Sequence, residues 1–246
     1  MPLLIPRILS ERGCRERAVH CARVTAVSSA GLSPLTVVTL LGVVAGLVVN
    51  RLAGRYPWNG EGGRRRAVPP PFVELGTAAL FALTEIRFGL SWELPAFLVL
   101  AGAGVLLALV DLRHKTLPNR VTLPALGVGA VLLAVAALAT GEWPPFLRAA
   151  LSAVVLFVVF FALVMISPRS IGMGDAKLAA LLGLYLGWLG AAVLLLGIAG
   201  GFVVQAVLAL LLLLTRRIGL RGELPFGPAM LLGAALVIGW SDALLR

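Results

Sequence analysis

The 246 residues are 60% apolar and only 13% charged, with a mean hydropathy of +1.01; a water-soluble globule is excluded, because a chain of this length cannot hide that much apolar surface from water. The formal net charge of +10 does not mark a nucleic-acid binder, since the arginines sit in short stretches between apolar runs and not on one folded face. What remains is an all-α, polytopic membrane protein in contact with lipid and with no nucleic-acid partner.

In chain order, residues 1–31 read as a basic tail carrying Arg7, Arg12, Arg15, Arg17 and Arg23. Its apolar start, Met1–Ser10, is too short for a cleavable signal peptide, and arginines follow where small residues would be needed. Cys14 and Cys21 say little about redox compartment. Residues 32–246 then read as one membrane domain. Eight apolar runs follow, near Leu32–Val49, Phe72–Ile86, Leu94–Val110, Val121–Leu138, Phe146–Ile166, Lys177–Trp188, Gly190–Leu214 and Phe226–Trp240. Each is long enough, or nearly so, to cross a hydrocarbon core. The sixth and seventh are separated only by Leu189, so a single broken helix or a re-entrant turn is the alternative there. The loop 51–71 is rich in glycine and arginine and closes on Pro69, Pro70 and Pro71, as an extended linker would.

Loop charge orients the spans. Arg51, Arg55 and Arg64–Arg66 follow span one, and His114, Lys115 and Arg120 follow span three. Arg169 and Lys177 surround the loop after span five, and Arg216, Arg217 and Arg221 follow span seven. The alternate loops hold few charges, so the positive-inside rule places the basic loops in the cytoplasm. The N-terminus then falls outside, in conflict with its own arginines. A start further downstream, for example at Val24, would remove the conflict.

Acidic residues at membrane depth are costly and each needs a reason. Asp111 ends span three in Ala-Leu-Val-Asp-Leu-Arg-His-Lys, and Asp175 opens span six in Gly-Met-Gly-Asp-Ala-Lys-Leu. Both fall at the same, cytoplasmic face. Two carboxylates about 3–5 Å apart cannot both ionise easily, so one keeps a proton while the other acts as base. Such a pair can activate water toward a peptide carbonyl and protonate the leaving nitrogen. Gly172 and Gly174 let the backbone turn sharply and leave room for a substrate chain. Pro118 stops span three and Asn119 starts the next loop. The plainer alternatives are that Asp175 is a helix N-cap, that Arg113 neutralises Asp111, or that the two acids form a proton path.

The segments Asp111-Leu-Arg-His-Lys-Thr-Leu-Pro-Asn119 and Gly172-Met-Gly-Asp-Ala-Lys-Leu178 resemble the two signature regions of the type IV prepilin peptidases. Pro71-Phe-Val-Glu-Leu75 and Leu224-Pro-Phe-Gly-Pro228 are similar to two further stretches of that family, and Val48-Val-Asn-Arg-Leu52 is weakly so. The likeness runs in matching order over about residues 35–240. It implies a Gly-x-Gly-Asp aspartic endopeptidase of the inner (plasma) membrane, with Asp111 and Asp175 catalytic and the active site facing the cytoplasm. The substrates it implies are pilin-like precursors, cut after a glycine that ends a short basic leader. Gly172, Gly174, Lys177, Arg113, Pro118, Asn119 and Glu74 are the supporting or substrate-binding candidates. No cofactor is needed for proteolysis. Many family members carry zinc on two Cys-x-x-Cys pairs in the first cytoplasmic loop and methylate the new N-terminus with S-adenosylmethionine. Loop 51–71 has no cysteine or histidine, and Cys14, His20 and Cys21 fall short of four ligands. No metal is therefore expected, and S-adenosylmethionine only if methyl transfer is retained. The rival readings are a proton-coupled transporter and a non-catalytic component of pilus assembly. A presenilin-like enzyme shares Gly-x-Gly-Asp, but its other aspartate follows tyrosine, where Val110 stands here.

Overall fold

The computed structural model describes residues 33–58, 67–167, 172–215 and 225–244, and among these every regular element is a helix. The elements are α1 (Pro34–Gly54), α2 (Phe72–Phe88), α3 (Leu94–His114), α4 (Asn119–Thr140), α5 (Pro144–Ile166), α6 (Met173–Leu189), α7 (Ala191–Leu214) and α8 (Gly227–Leu244). The tail 1–31 with Cys14, His20 and Cys21, the arginines Arg64–Arg66 and Arg169, and the basic stretch Arg216–Arg221 lie outside the described residues.

Each expected span corresponds to one helix. α1, α3, α4, α5 and α7 have the length and hydropathy to cross a bilayer, and α8 contains a shorter apolar stretch. The helices α1 and α3 run beyond the apolar limits expected, to Gly54 and His114. Hydropathy drops at the first charged residue, whereas the backbone ladder goes on until something breaks it. For α3 that is Lys115, whose φ of 51° is left-handed and whose N–H closes on the Asp111 carbonyl at 2.8 Å. The helix thus ends before Pro118, which instead precedes α4 and accepts the N–H groups of Val121 and Thr122. Starts are set locally as well. The Ser33 hydroxyl accepts the Thr36 N–H, and prolines occupy the first turns of α1, α3 and α5.

Sequence neighbours pack against each other throughout, most extensively α1 with α2, α5 with α6, and α7 with α8. Helix α6 is the central element, touching α4, α5, α7 and α8, with the whole stretch Leu178–Trp188 buried. A membrane helix hidden all round needs small residues at its contacts. Gly183 meets the Ser152 carbonyl, where a Cβ would stand 2.8 Å away, and Gly187 lies on the Ser152 side chain. The α6–α7 connection is a tight hairpin. It breaks at Gly190, one residue later than expected, with φ 145°, a backbone state that favours glycine. Leu186 then packs on Gly197 across the pair.

The outer faces are the reverse of a soluble protein's. Leu40, Val44, Val131, Val154, Val158, Leu195, Val203 and Leu210 are all about half exposed or more, a continuous apolar surface that lipid can cover. Trp92, Trp143 and Trp240 are exposed at the helix ends opposite Asp111, where tryptophans suit the headgroup region. Two arginines at that end have structural work. Arg148 donates to the carbonyls of Gly187 and Trp188 at 2.7 Å each, closing the C-terminus of α6, and Arg87 ties α2 to the Ile238 carbonyl and Ser241 hydroxyl of α8.

Candidate active site

Alternating helix directions bring the C-terminus of α3 and the N-termini of α4, α6 and α8 to one end of the bundle. Three separate stretches of sequence meet there: the α3–α4 turn, the start of α6 and the start of α8. Asp111 stands in the last turn of α3 and is 5% exposed, with Oδ2 buried and making no hydrogen bond. Asp175 stands in the first turn of α6 and is half-buried. The two carboxyl groups are close enough to act on each other electrostatically.

Asp175 is not the N-cap of α6. Gly172 holds that position, and the Asp175 carboxylate reaches back to accept its N–H at 3.2 Å. This is half of a capping box, with the acidic group stabilised further by the helix N-terminus. Gly174 serves packing: a Cβ there would lie 2.7 Å from the Leu117 Cβ. Two residues later Asn119 accepts a hydrogen bond from the Lys177 Nζ at 2.8 Å. The Leu117-Pro118-Asn119 turn and the Gly-Met-Gly-Asp-Ala-Lys stretch are therefore clamped face to face. Pro118 is buried in that clamp.

The other candidates make no hydrogen bond to either aspartate. Arg113 is exposed and forms no ion pair with Asp111. Lys177 is engaged by Asn119 and not by a carboxylate. Glu74 is buried near the end of α1, where Oε1 accepts the Asn50 Nδ2 at 3.1 Å and Oε2 has no partner. Asn50 also donates to the Val68 carbonyl and accepts the Val68 N–H, each at 3.0 Å. This pins the end of the α1–α2 loop onto α1. Among the described residues no three of His, Cys, Asp and Glu gather as a metal site.

One residue at the site was not anticipated among the candidates. Gly227 opens α8, and a Cβ on it would stand 2.6 Å from the Asp111 Oδ2 and 3.3 Å from its Cγ. Its signal was present in Leu224-Pro-Phe-Gly-Pro228, but nothing in a linear motif says which distant side chain a glycine must clear.

The clamp gives a direct test of Gly174. Gly174→Ala should lower any activity of the aspartate pair by about 10²-fold, because the neighbour in its way is a Cβ, which no rotamer change can move. Adding Leu117→Gly removes that Cβ and should restore part of the loss. If Gly174→Ala alone matches the wild type, the two segments do not depend on this contact.

The fold and site define a helical, polytopic membrane protein with two acidic side chains converging at one end. The family described as type IV leader peptidase matches residues 98–215, from α3 through α7. A prepilin leader peptidase/N-methyltransferase of Bacillus subtilis is 31% identical over 185 residues, covering 74% of this chain and 71% of that protein. Proteins of the same description from Pseudomonas aeruginosa and Xanthomonas campestris are 30% and 32% identical, covering 72% and 74% of this chain and 60% and 63% of their own lengths. No solved structure matches. The chain belongs to the type IV leader peptidase family. It spans about 60% of the length of the first of the curated relatives it matches.

Proposed function

We propose that the chain is a prepilin leader peptidase of the inner membrane, using Asp111 and Asp175 to cut pilin-like precursors at the cytoplasmic face. The observation that carries this reading is the meeting of the Asp111 and Asp175 segments at one end of the bundle, through the Leu117–Gly174 contact and the Asn119–Lys177 hydrogen bond. In the proposed reaction one carboxylate takes a proton from water, whose oxygen adds to the scissile carbonyl. The protonated partner then gives its proton to the amide nitrogen as the C–N bond breaks, leaving a free leader carboxylate and a new amino terminus. Gly172 leaves exposed backbone bare beside Asp175, where an extended substrate segment can approach, whereas the bare face of Gly174 is taken by Leu117. Lys177, Asn119 and Pro118 hold the two motif segments in register, Arg113 offers positive charge at the exposed rim, and Glu74 supports the neighbouring loop. The test is co-expression with a pilin precursor in a host lacking its own enzyme, read as conversion to the shorter mature form. An uncut precursor, with the protein present in the membrane, would overturn the proposal.

The cytoplasmic orientation rests on loop charge. Reporter fusions at residues 58 and 120 should report cytoplasm, and fusions at 90 and 142 the outside. A reversed pattern would separate the aspartates from a leader made in the cytoplasm.

Methyl transfer is expected to be weak or missing. Loop 51–71 supplies no cysteine or histidine, so it cannot be ordered by a tetrahedral metal bound through such ligands. Mass spectrometry of the mature pilin's N-terminal peptide should find it mostly unmethylated after correct cleavage. Methylation of most molecules would mean that S-adenosylmethionine binds without that metal-ordered loop.

A further inference from the structure

Resting on the peptidase reading, we infer that Tyr56 is a positioning residue that latches the turn carrying Thr116 and Leu117 to the end of α1. The chain leaves α1 at Gly54 and folds back at once. Trp58 donates its indole N–H to the Leu52 carbonyl at 3.1 Å, and its ring meets Tyr56 edge-on at 5.2 Å. Held this way, the half-buried Tyr56 packs on the cluster of Val49, Ala53 and Val110. Its ring lies 4.8 Å from that of His114, and its hydroxyl shares a hydrogen bond with the Thr116 Oγ1 at 3.0 Å.

These contacts fall on a stretch with little else to hold it. His114, Lys115 and Thr116 are exposed, and Lys115 has left α3 in a left-handed conformation. Among the described residues, the bond to Tyr56 is the one hydrogen bond of the Thr116 side chain. The very next residue, Leu117, abuts Gly174, and Asn119 grips Lys177. A loose Thr116 therefore frees the contact that places Asp175 opposite Asp111. Trp58, Tyr56, Thr116 and Leu117 form a chain of contacts from the first helix to the second aspartate, and it requires no metal.

The latch predicts a loss in turnover with little change in substrate binding. Tyr56→Phe and Thr116→Val should each lower kcat for precursor cleavage about 5- to 10-fold, with KM within about twofold. The double variant should fall no further than either single one, since both remove the same bond. Thr116→Ser keeps a hydroxyl and should restore the wild-type rate. A second readout does not need cleavage: in lipid nanodiscs, trypsin should cut after Lys115 about 5- to 10-fold faster in Tyr56→Phe than in the wild type. Unchanged kcat with unchanged trypsin sensitivity would overturn the latch, as would additive losses that Thr116→Ser does not rescue. If the wild type cuts no precursor, the peptidase reading fails, and the trypsin comparison still decides whether Tyr56 orders the turn.

Discussion

Asp111→Asn and Asp175→Asn should each lower precursor cleavage by about 10³-fold or more while the protein still accumulates in the membrane. Asparagine preserves the size of the side chain and an acceptor oxygen. At Asp175 it can still take the Gly172 N–H that now sits 3.2 Å from the carboxylate, so the start of α6 should survive. At Asp111 the Oδ2 has no hydrogen-bond partner of ordinary geometry, and the amide oxygen of asparagine can still face the Gly227 N–H that lies beside the carboxyl. What asparagine cannot do is accept a proton from water or deliver one to a leaving nitrogen. The loss should therefore be nearly complete in each variant and no worse in the double, because two halves of one proton relay are not additive. Immunoblotting of the co-expressed precursor measures it. A variant that processes precursor within a few-fold of the wild type would remove that aspartate from the chemistry. Retained cleavage in both would favour a non-catalytic role for the pair.

The helices were legible because apolar runs at membrane length leave few other structures open to the chain. Their ends were less so. Hydropathy reports where lipid begins, whereas α3 ends where Lys115 turns left-handed, and α6 ends where Gly190 does not continue the ladder. The two aspartates were legible as acids at corresponding helix ends. Their environments were not, since the segments packed beside them, Gly227 against Asp111 and Leu117 against Gly174, come from far along the chain. Asn119 and Lys177 are 58 residues apart, and no local pattern pairs them. Reading Asp175 as an N-cap was reasonable for its place, but the structure puts it at the third position of the first turn, bonded backward to Gly172. Glu74 and Arg113 stood out because charge near a membrane end always does. One proves to be tied to Asn50 and the other to lie in the open. Gly227 shows the opposite failing: a residue with no side chain offers nothing to notice until its neighbour is known.

That neighbour makes Gly227→Ala the second variant with a large expected effect. The first heavy atom of any side chain at this position would stand 2.6 Å from the Asp111 Oδ2 and 3.5 Å from the Leu178 Cδ2. Backbone strain does not contribute, because Gly227 is not among the glycines with positive φ. The added methyl acts only through contact. Asp111 is short, 5% exposed and preceded by the fully buried Val110, so its carboxyl has little room to swing aside. Either it is pushed away from Asp175 or α8 lifts away from α3, and both outcomes misalign the pair. A misplacement of about 1 Å in a catalytic group can cost about 10²-fold, and cleavage by Gly227→Ala should fall by about that factor. Gly239 lies on the same helix and a Cβ there meets nothing within 4 Å, so Gly239→Ala should leave cleavage at the wild-type level. The comparison separates a local effect on the carboxyl from a general cost of alanine in α8. Thermal unfolding in detergent should shift by a few degrees at most for either variant, since one methyl at the mouth of the bundle disturbs little of its core. Wild-type cleavage by Gly227→Ala would mean that Asp111 does its work in a position other than the one it holds against α8.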